Sequence, residues 1–374
     1  MSKTDFIPVN EPLLGQKEKK YLIECIETGW ISSEGAFVER FEKNLAKASL
    51  RKHGIAVSSG TAALDVAIEA LGISKGDEVI LPSFTIISCI NQIIRVGAIP
   101  VLVDSDPNTW NMNINQIEEK ITLRTKAIMV VHIYGLPVDI DPVLSLAKKY
   151  NLKVIEDAAE MHGQTYKGKP CGSFGDISTL SFYPNKHITT GEGGMVLTNN
   201  DQLATNCRSL RNLCFQPNKR FVHERLGWNY RMTNMQAALG VAQLSRLDEF
   251  IDRKIRMGAL YTELLKGVQG IQLPMVSTSY ANNIYWVYGL ILDKSIDFDA
   301  KEAMTRLGRL GIGCRPFFYP MHQQPVLRKM GLFKGESYPE AEKLYQRGFY
   351  IPSGMALSEE QINRVTEALV EVLK

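Results

Sequence analysis

From residue 55 to about residue 200, short apolar runs alternate with segments of helical period. The runs are Ile55-Ala-Val57, Glu78-Val-Ile-Leu81, Pro100-Val-Leu-Val103, Ala127-Ile-Met-Val-Val131 and Val154-Ile155. They are rich in β-branched residues and nearly continuous, as strands covered on both faces must be. Between the first two, Leu64, Ala67, Ile68 and Leu71 follow the i, i+3, i+4, i+7 rule of an amphipathic helix. This βαβ repetition predicts an α/β fold, a mostly parallel sheet sandwiched by helices. Ligands of such sheets bind at the carboxyl ends of the strands.

The pattern changes after residue 235. Met235 to Leu264 reads as one long helix. A strand, a helix and a strand follow around Tyr285–Leu292, Ala300–Leu310 and Gly313–Phe318, and Glu359–Leu373 forms a last amphipathic helix. Two units are expected, residues 1–245 as a large α/β domain and residues 246–374 as a smaller α+β domain. The length of 374 residues suits that division.

Composition narrows the function classes. A net charge of +3 is too small to indicate nucleic acid or membrane as a partner. The first ten residues carry no apolar leader and no stretch reaches the ~18 apolar residues of a membrane span, so a cytoplasmic location is expected. The six cysteines form no CxxC pair and no ligand spacing with the histidines. Reduced thiols and no metal site are expected.

Three local features carry candidate chemistry. Ser58-Ser59-Gly60-Thr61 follows a strand and opens a helix, which presents unpaired N–H groups and a positive dipole end to an anion. Gly60 permits close approach, and Ser59 and Thr61 offer hydroxyls; an ordinary capped helix explains the same residues. Asp157 ends Lys153-Val-Ile-Glu-Asp157, where a carboxylate would keep a pyridine nitrogen protonated, or merely cap a helix. Glu160 lies one helical turn on, and His162 is left without a role. Lys186 sits in Ser181-Phe-Tyr-Pro-Asn-Lys186-His, before the Gly191-Glu-Gly-Gly194 turn. A lysine so placed is a candidate to form an imine with an aldehyde. Ser181 is a further phosphate donor, and Phe84 is either a stacking ring or a core residue. An amine, an acid and an anion-binding turn together are what pyridoxal phosphate requires.

At these residues the chain resembles the sugar aminotransferases of the DegT/DnrJ/EryC1/StrS type. The matching segments include Gly29-Trp-Ile-Ser-Ser, Ser58-Ser-Gly-Thr-Ala-Ala-Leu64, Glu156-Asp-Ala-Ala-Glu160, Gly191-Glu-Gly-Gly-Met195 and Asn229-Tyr-Arg-Met-Thr-Asn234. The resemblance implies the aspartate-aminotransferase-like fold (type I) and pyridoxal 5'-phosphate as cofactor. It implies that Lys186 holds the cofactor, Asp157 pairs with its ring nitrogen and Glu160 approaches its ring hydroxyl. Gly60, Thr61 and Ser181 would bind its phosphate, with Asn229 reaching the phosphate of a neighbouring subunit in a homodimer with shared sites. The segments around Trp30, Ile188–Met195 and Arg315-Pro-Phe-Phe-Tyr-Pro-Met-His322 are similar to those of the branch that aminates C4 of GDP-4-keto-6-deoxymannose, with glutamate as donor and GDP-perosamine as product. Trp30, Arg315 and His322 are its weakest implied substrate residues; Arg315 would meet a substrate phosphate or the glutamate carboxylate, His322 the sugar.

Phe182-Tyr-Pro184 also resembles the 3-dehydratase branch of the family, which carries histidine at the lysine position. Lys186 favours aminotransfer, because a histidine cannot form the imine. A dTDP- or UDP-linked keto sugar is the alternative substrate. A binding protein without turnover would have no need of the lysine.

Overall fold

The computed structural model describes residues 6–216 and 218–374, so the first half of the N-terminal segment, residues 1–5, lies outside the described residues. The apolar runs form strands β1 (His53–Val57), β2 (Glu78–Pro82), β3 (Ile99–Val103), β4 (Thr125–Val131) and β5 (Lys153–Asp157). A small hairpin, β6 (Thr165–Tyr166) and β7 (Lys169–Pro170), precedes β8 (Ile177–Ser181) and β9 (Gly194–Thr198). Seven of these make one sheet in the order β1-β9-β8-β5-β4-β2-β3. The β8-β5-β4-β2-β3 pairings are parallel, and β9 alone runs against its neighbours β1 and β8. The sheet is mostly parallel, as its continuous apolar strands predict.

Helices cover both faces. They are α1 (Gln16–Thr28), α2 (Ala36–Ala48), α3 (Gly60–Ala70), α4 (Ser88–Arg95), α5 (Ile140–Tyr150), α6 (Asp201–Leu210) and α7 (Asn234–Leu244). Along β2, Val79 and Leu81 join the core under α3, α4 and α6, while Ile80 joins the core under α2, α5 and α7. Both faces of one strand are thus dry, which is why no polar alternation marks it.

The expected long helix is two. α7 ends at Leu244 and α8 (Leu247–Leu264) begins after two intervening residues, Ser245 and Arg246. At the break the Ser245 hydroxyl turns back to the carbonyl of Ala242, and the Arg246 side chain pairs with Glu249 and Glu18. These local polar bonds compete with the helical ladder, a competition that apolar periodicity does not register.

Beyond α8 come β10 (Ile271–Gln272), β11 (Tyr288–Leu292), α9 (Ala300–Arg309), β12 (Arg315–Pro316), α10 (Pro325–Lys329), α11 (Pro339–Arg347), β13 (Gly348–Ile351) and α12 (Glu359–Leu373). The strands form a second sheet, β10-β11-β13-β12, antiparallel throughout. β13 lies between the two strands that the sequence places side by side. Met257 and Tyr261 of α8 and Val365 and Leu369 of α12 build its core. The first described residues join this unit: Ile7 donates to the carbonyl of Gly311, and Val9 accepts from Ser353.

Candidate active site

Strands β1, β2, β4, β5 and β8 end on one edge of the large sheet, and the segments leaving them wall a cavity of about 360 Å³. Ser59, Gly60 and Thr61 follow β1, Thr85 and Ile86 follow β2, and His132 follows β4. Asp157 ends β5, and Ser181, Asn185 and Lys186 end or follow β8. Trp286, Phe318 and Tyr350 close it from the second unit.

One end suits an anion. The Ser59 hydroxyl accepts from Ala62 N at 3.1 Å and caps α3, leaving its own hydrogen free to donate. The first N–H groups of α3 have no partner within the helix. Thr61 Oγ1 lies 2.8 Å from Ser88 Oγ. A Cβ at Gly60 would stand 2.7 Å from Cβ of Ser181, so only glycine lets the helix start lie against β8. Likewise a Cβ at Gly194 would run into the Ser59 carbonyl.

The acids and the amine lie deeper. Asp157 is buried; its Oδ1 accepts from Ala159 N at 3.0 Å and its Oδ2 from the Cys89 thiol at 3.3 Å. Burial raises its pKa, with those donors and Lys186 opposing. Glu160 Oε2 accepts from Tyr134 N at 2.7 Å, and its Oε1 lies 3.7 Å from Lys186 Nζ. Burial pushes the Glu160 carboxyl up to about 7, against the pull of Lys186. Burial also pulls the Lys186 amine down, opposed by Glu160 and Asp157. Each group is desolvated, so the proton between them is easily moved.

Lys186, Asp157, Glu160, Ser59, Gly60, Thr61 and Ser181 therefore meet in one cavity. The other expected residues do not. Phe84 is fully buried among Tyr134, Phe317 and Phe318, and its neighbours Thr85 and Ile86 face the cavity instead. It is the core residue of the two readings. His322 is also buried and off the wall: its Nδ1 lies 2.8 Å from Ser83 Oγ and its Nε2 2.9 Å from Glu342 Oε1. With both nitrogens engaged it joins the residue after β2 to α11, outside the cavity wall. Trp30 and Asn229 are exposed away from this cavity. Arg315 lines a smaller chamber of about 170 Å³ that shares Tyr183, Asn185 and Tyr350 with the main one. His162 stacks on Phe182, and burial pushes its pKa down to about 3.

Sequence reasoning overlooks Trp286, Tyr350, Thr179 and Cys89. Trp286 and Tyr350 stand in apolar stretches that read as core strands. Thr179 and Cys89 become neighbours of Asp157 only through strand pairing and helix packing. Among the described residues, His132, Glu156 and Cys171 are spaced as metal ligands. However, His132 Nδ1 accepts from Val138 N, so Nε2 donates to Glu156, which also accepts from Gly172 and Phe174 N–H. The His132 imidazole is thus engaged at both nitrogens, and Glu156 already accepts three hydrogen bonds.

A strand-end cavity with a buried lysine, an acid on the neighbouring strand and an anion-binding helix start defines a fold-type-I pyridoxal-phosphate enzyme. Residues 12–370 match the DegT/DnrJ/EryC1/StrS aminotransferase family, and the chain belongs to it. It is similar to the GDP-perosamine synthase of Caulobacter vibrioides, 44% identical with all of both chains covered. It is also similar to the GDP-perosamine synthase of Escherichia coli O157:H7, 43% identical over 98% of each chain. The X-ray structure of an aminotransferase from Psychrobacter cryohalolentis matches with a TM-score of 0.91, at 30% identity and 98% of each chain. The chain is thus a pyridoxal-phosphate-dependent sugar aminotransferase, taking a sugar substrate and an amino donor. The residues present fit the cofactor. The cavity also holds a buried hydroxyl, Thr179 Oγ1, without a partner on the protein. Among the described residues, no helix is long and apolar enough to cross a membrane.

Proposed function

We propose that the chain transfers the amino group of glutamate to C4 of GDP-4-keto-6-deoxy-D-mannose, giving GDP-perosamine. The observation that carries the chemistry is Lys186 Nζ, buried 3.7 Å from Glu160 beside Asp157. The substrate rests on full-length similarity to enzymes named GDP-perosamine synthase.

Bound pyridoxal phosphate supplies an aldehyde that takes up the amino group and a ring that accepts the electrons released at the substrate carbon. Lys186 would hold the cofactor, and the Asp157 carboxylate would pair with the ring nitrogen and keep it protonated. Ser59, Gly60, Thr61 and Ser181 grip the phosphate at the start of α3. Once free, the Lys186 amine takes the proton from the α carbon of glutamate and later delivers one to C4 of the sugar. Glu160, poised near neutrality beside it, buffers that charge and approaches the ring hydroxyl. Arg315, in the side chamber, meets a substrate phosphate or the glutamate carboxylate.

A homodimer is the working unit in this reading. Trp30, Ile86 and Tyr183 are exposed apolar residues, and Asn229, also exposed, has its Oδ1 held by Arg231 Nε, so its amide N–H groups would be what reaches a second copy's phosphate site. In this reading residues 1–245 are the cofactor-binding unit, apart from the first described residues that pair with the smaller unit of residues 246–374, and the enzyme works in the cytoplasm. The test mixes purified protein with cofactor, glutamate and GDP-, dTDP- or UDP-linked 4-keto-6-deoxy sugars and looks for the amino sugar by mass. The GDP sugar should be converted fastest. Conversion of only a dTDP or UDP sugar would refute the substrate and spare the class. Ammonia release without an amino sugar would point to dehydration.

A further inference from the structure

Lys186 has a second neighbour that acid–base chemistry alone does not call for. Its Nζ lies 3.8 Å from the centroid of the Trp286 ring. Trp286 is buried, and its ring is tied down on every side. The indole N–H donates to the carbonyl of Asn185, the residue before Lys186, at 2.7 Å. The ring packs against Tyr134 and Tyr350. Its own carbonyl accepts from Lys254 Nζ at 2.8 Å, and Lys254 also bonds the carbonyl of Ser353. The indole therefore stays where it is while the flexible lysine moves.

We propose that Trp286 is a positioning residue that seats the free ammonium of Lys186 between its indole face and Glu160. The proposal rests on Lys186 being the cofactor lysine. Transamination frees that amine in each half-reaction and needs it to carry a proton without drifting out of reach. A carboxylate alone would hold the proton too firmly. An aromatic face in a dry site attracts the ammonium through its quadrupole and accepts no proton in return. The charged or titratable groups facing the amine are Asp157 at the end of β5, Glu160 after it, Cys89 on α4, and His162 and His187. Burial keeps both imidazoles neutral, so the groups that favour the ammonium are the two acids, Cys89 behind them and the indole face.

The test measures how labelling of Lys186 by an amine-selective acylating reagent depends on pH. It uses the full-length protein freed of cofactor, with the Lys186 peptide read by mass spectrometry. Losing the indole face in Trp286→Leu should lower the labelling midpoint by about one pH unit. Trp286→Phe, which keeps an aromatic face, should restore about half of that shift. A tryptophan that merely shapes the cavity would change the extent of labelling and leave the midpoint alone. A midpoint in Trp286→Leu equal to that of the parent protein overturns the proposal. If that variant does not fold, Trp286→Met, of similar length and without a face, reads the same midpoint. Failure of the underlying assignment is read separately, as cofactor fixed by borohydride on a lysine other than Lys186.

Discussion

Lys254 makes a quantitative prediction about stability. It is almost fully buried on α8, its amine bonds the carbonyls of Trp286 and Ser353, and burial alone pushes its pKa down to about 7. A neutral amine has two hydrogens for these two carbonyls, so both bonds survive loss of the proton. In the unfolded chain the same amine titrates near ~10.4. Between those values the unfolded state binds more protons than the native state, so this group makes stability rise with pH, by about 1.4 kcal/mol per unit. Below pH 7 both states are protonated and the slope vanishes. Lys254→Met removes the contribution. The stability of the parent protein relative to the variant should therefore rise by roughly 2 to 3 kcal/mol from pH 7.5 to pH 9.5. At ~2.1 cal/mol/K per residue over 374 residues, that is a relative shift in melting temperature of about 3 °C. Thermal melts of both proteins across that range give the answer, since distant groups cancel in the difference. Melting temperatures that stay parallel would show that Lys254 remains charged in the native state, and would refute the reasoning.

Two further substitutions separate site from scaffold. Asp157→Asn keeps the acceptor for Ala159 N–H but removes the charge; it should weaken cofactor binding and cut turnover roughly 100-fold, with the melting temperature of the cofactor-free protein little changed. His322→Ala leaves the buried Ser83 hydroxyl without its partner and takes one of three hydrogen bonds from Glu342, which keeps those from Ser337 and Tyr338 N–H; it should cost about 1–3 kcal/mol of stability, read as a lower melting temperature. Its KM for the sugar nucleotide should stay near that of the parent protein; a large rise in KM with stability intact would return His322 to the substrate site.

The parts of the site that could be read from the chain are those built locally. Ser59-Gly60-Thr61 is a strand–turn–helix junction whose chemistry lies in consecutive residues. Asp157 ends an apolar run, and Lys186 precedes a glycine turn that must pass close to Ser59. The aromatic wall was not readable in this way. Trp286, Phe318 and Tyr350 lie in apolar stretches, and burial of area gives the same signal whether the ring faces a core or a cavity. Phe84 shows the converse. It follows β2 as a stacking ring would, yet the turn directs Thr85 and Ile86 into the cavity and leaves Phe84 in the core. Trp30 and Asn229 stand exposed outside the cavity, and the role that the resemblance implies for Asn229 calls for a second copy. In the fold, the parallel strands were legible from their unbroken apolar runs. The place of β13 between β11 and β12 depends on long-range pairing, which no local period encodes.

The central claim is that Lys186 is the amine that holds the cofactor. Borohydride reduction of the cofactor-loaded protein, followed by digestion and mass spectrometry, tests it directly. The account predicts a reduced cofactor adduct on the peptide carrying Lys186, no adduct in Lys186→Ala, and no turnover by that variant. An adduct on another lysine, or turnover by Lys186→Ala, would contradict it.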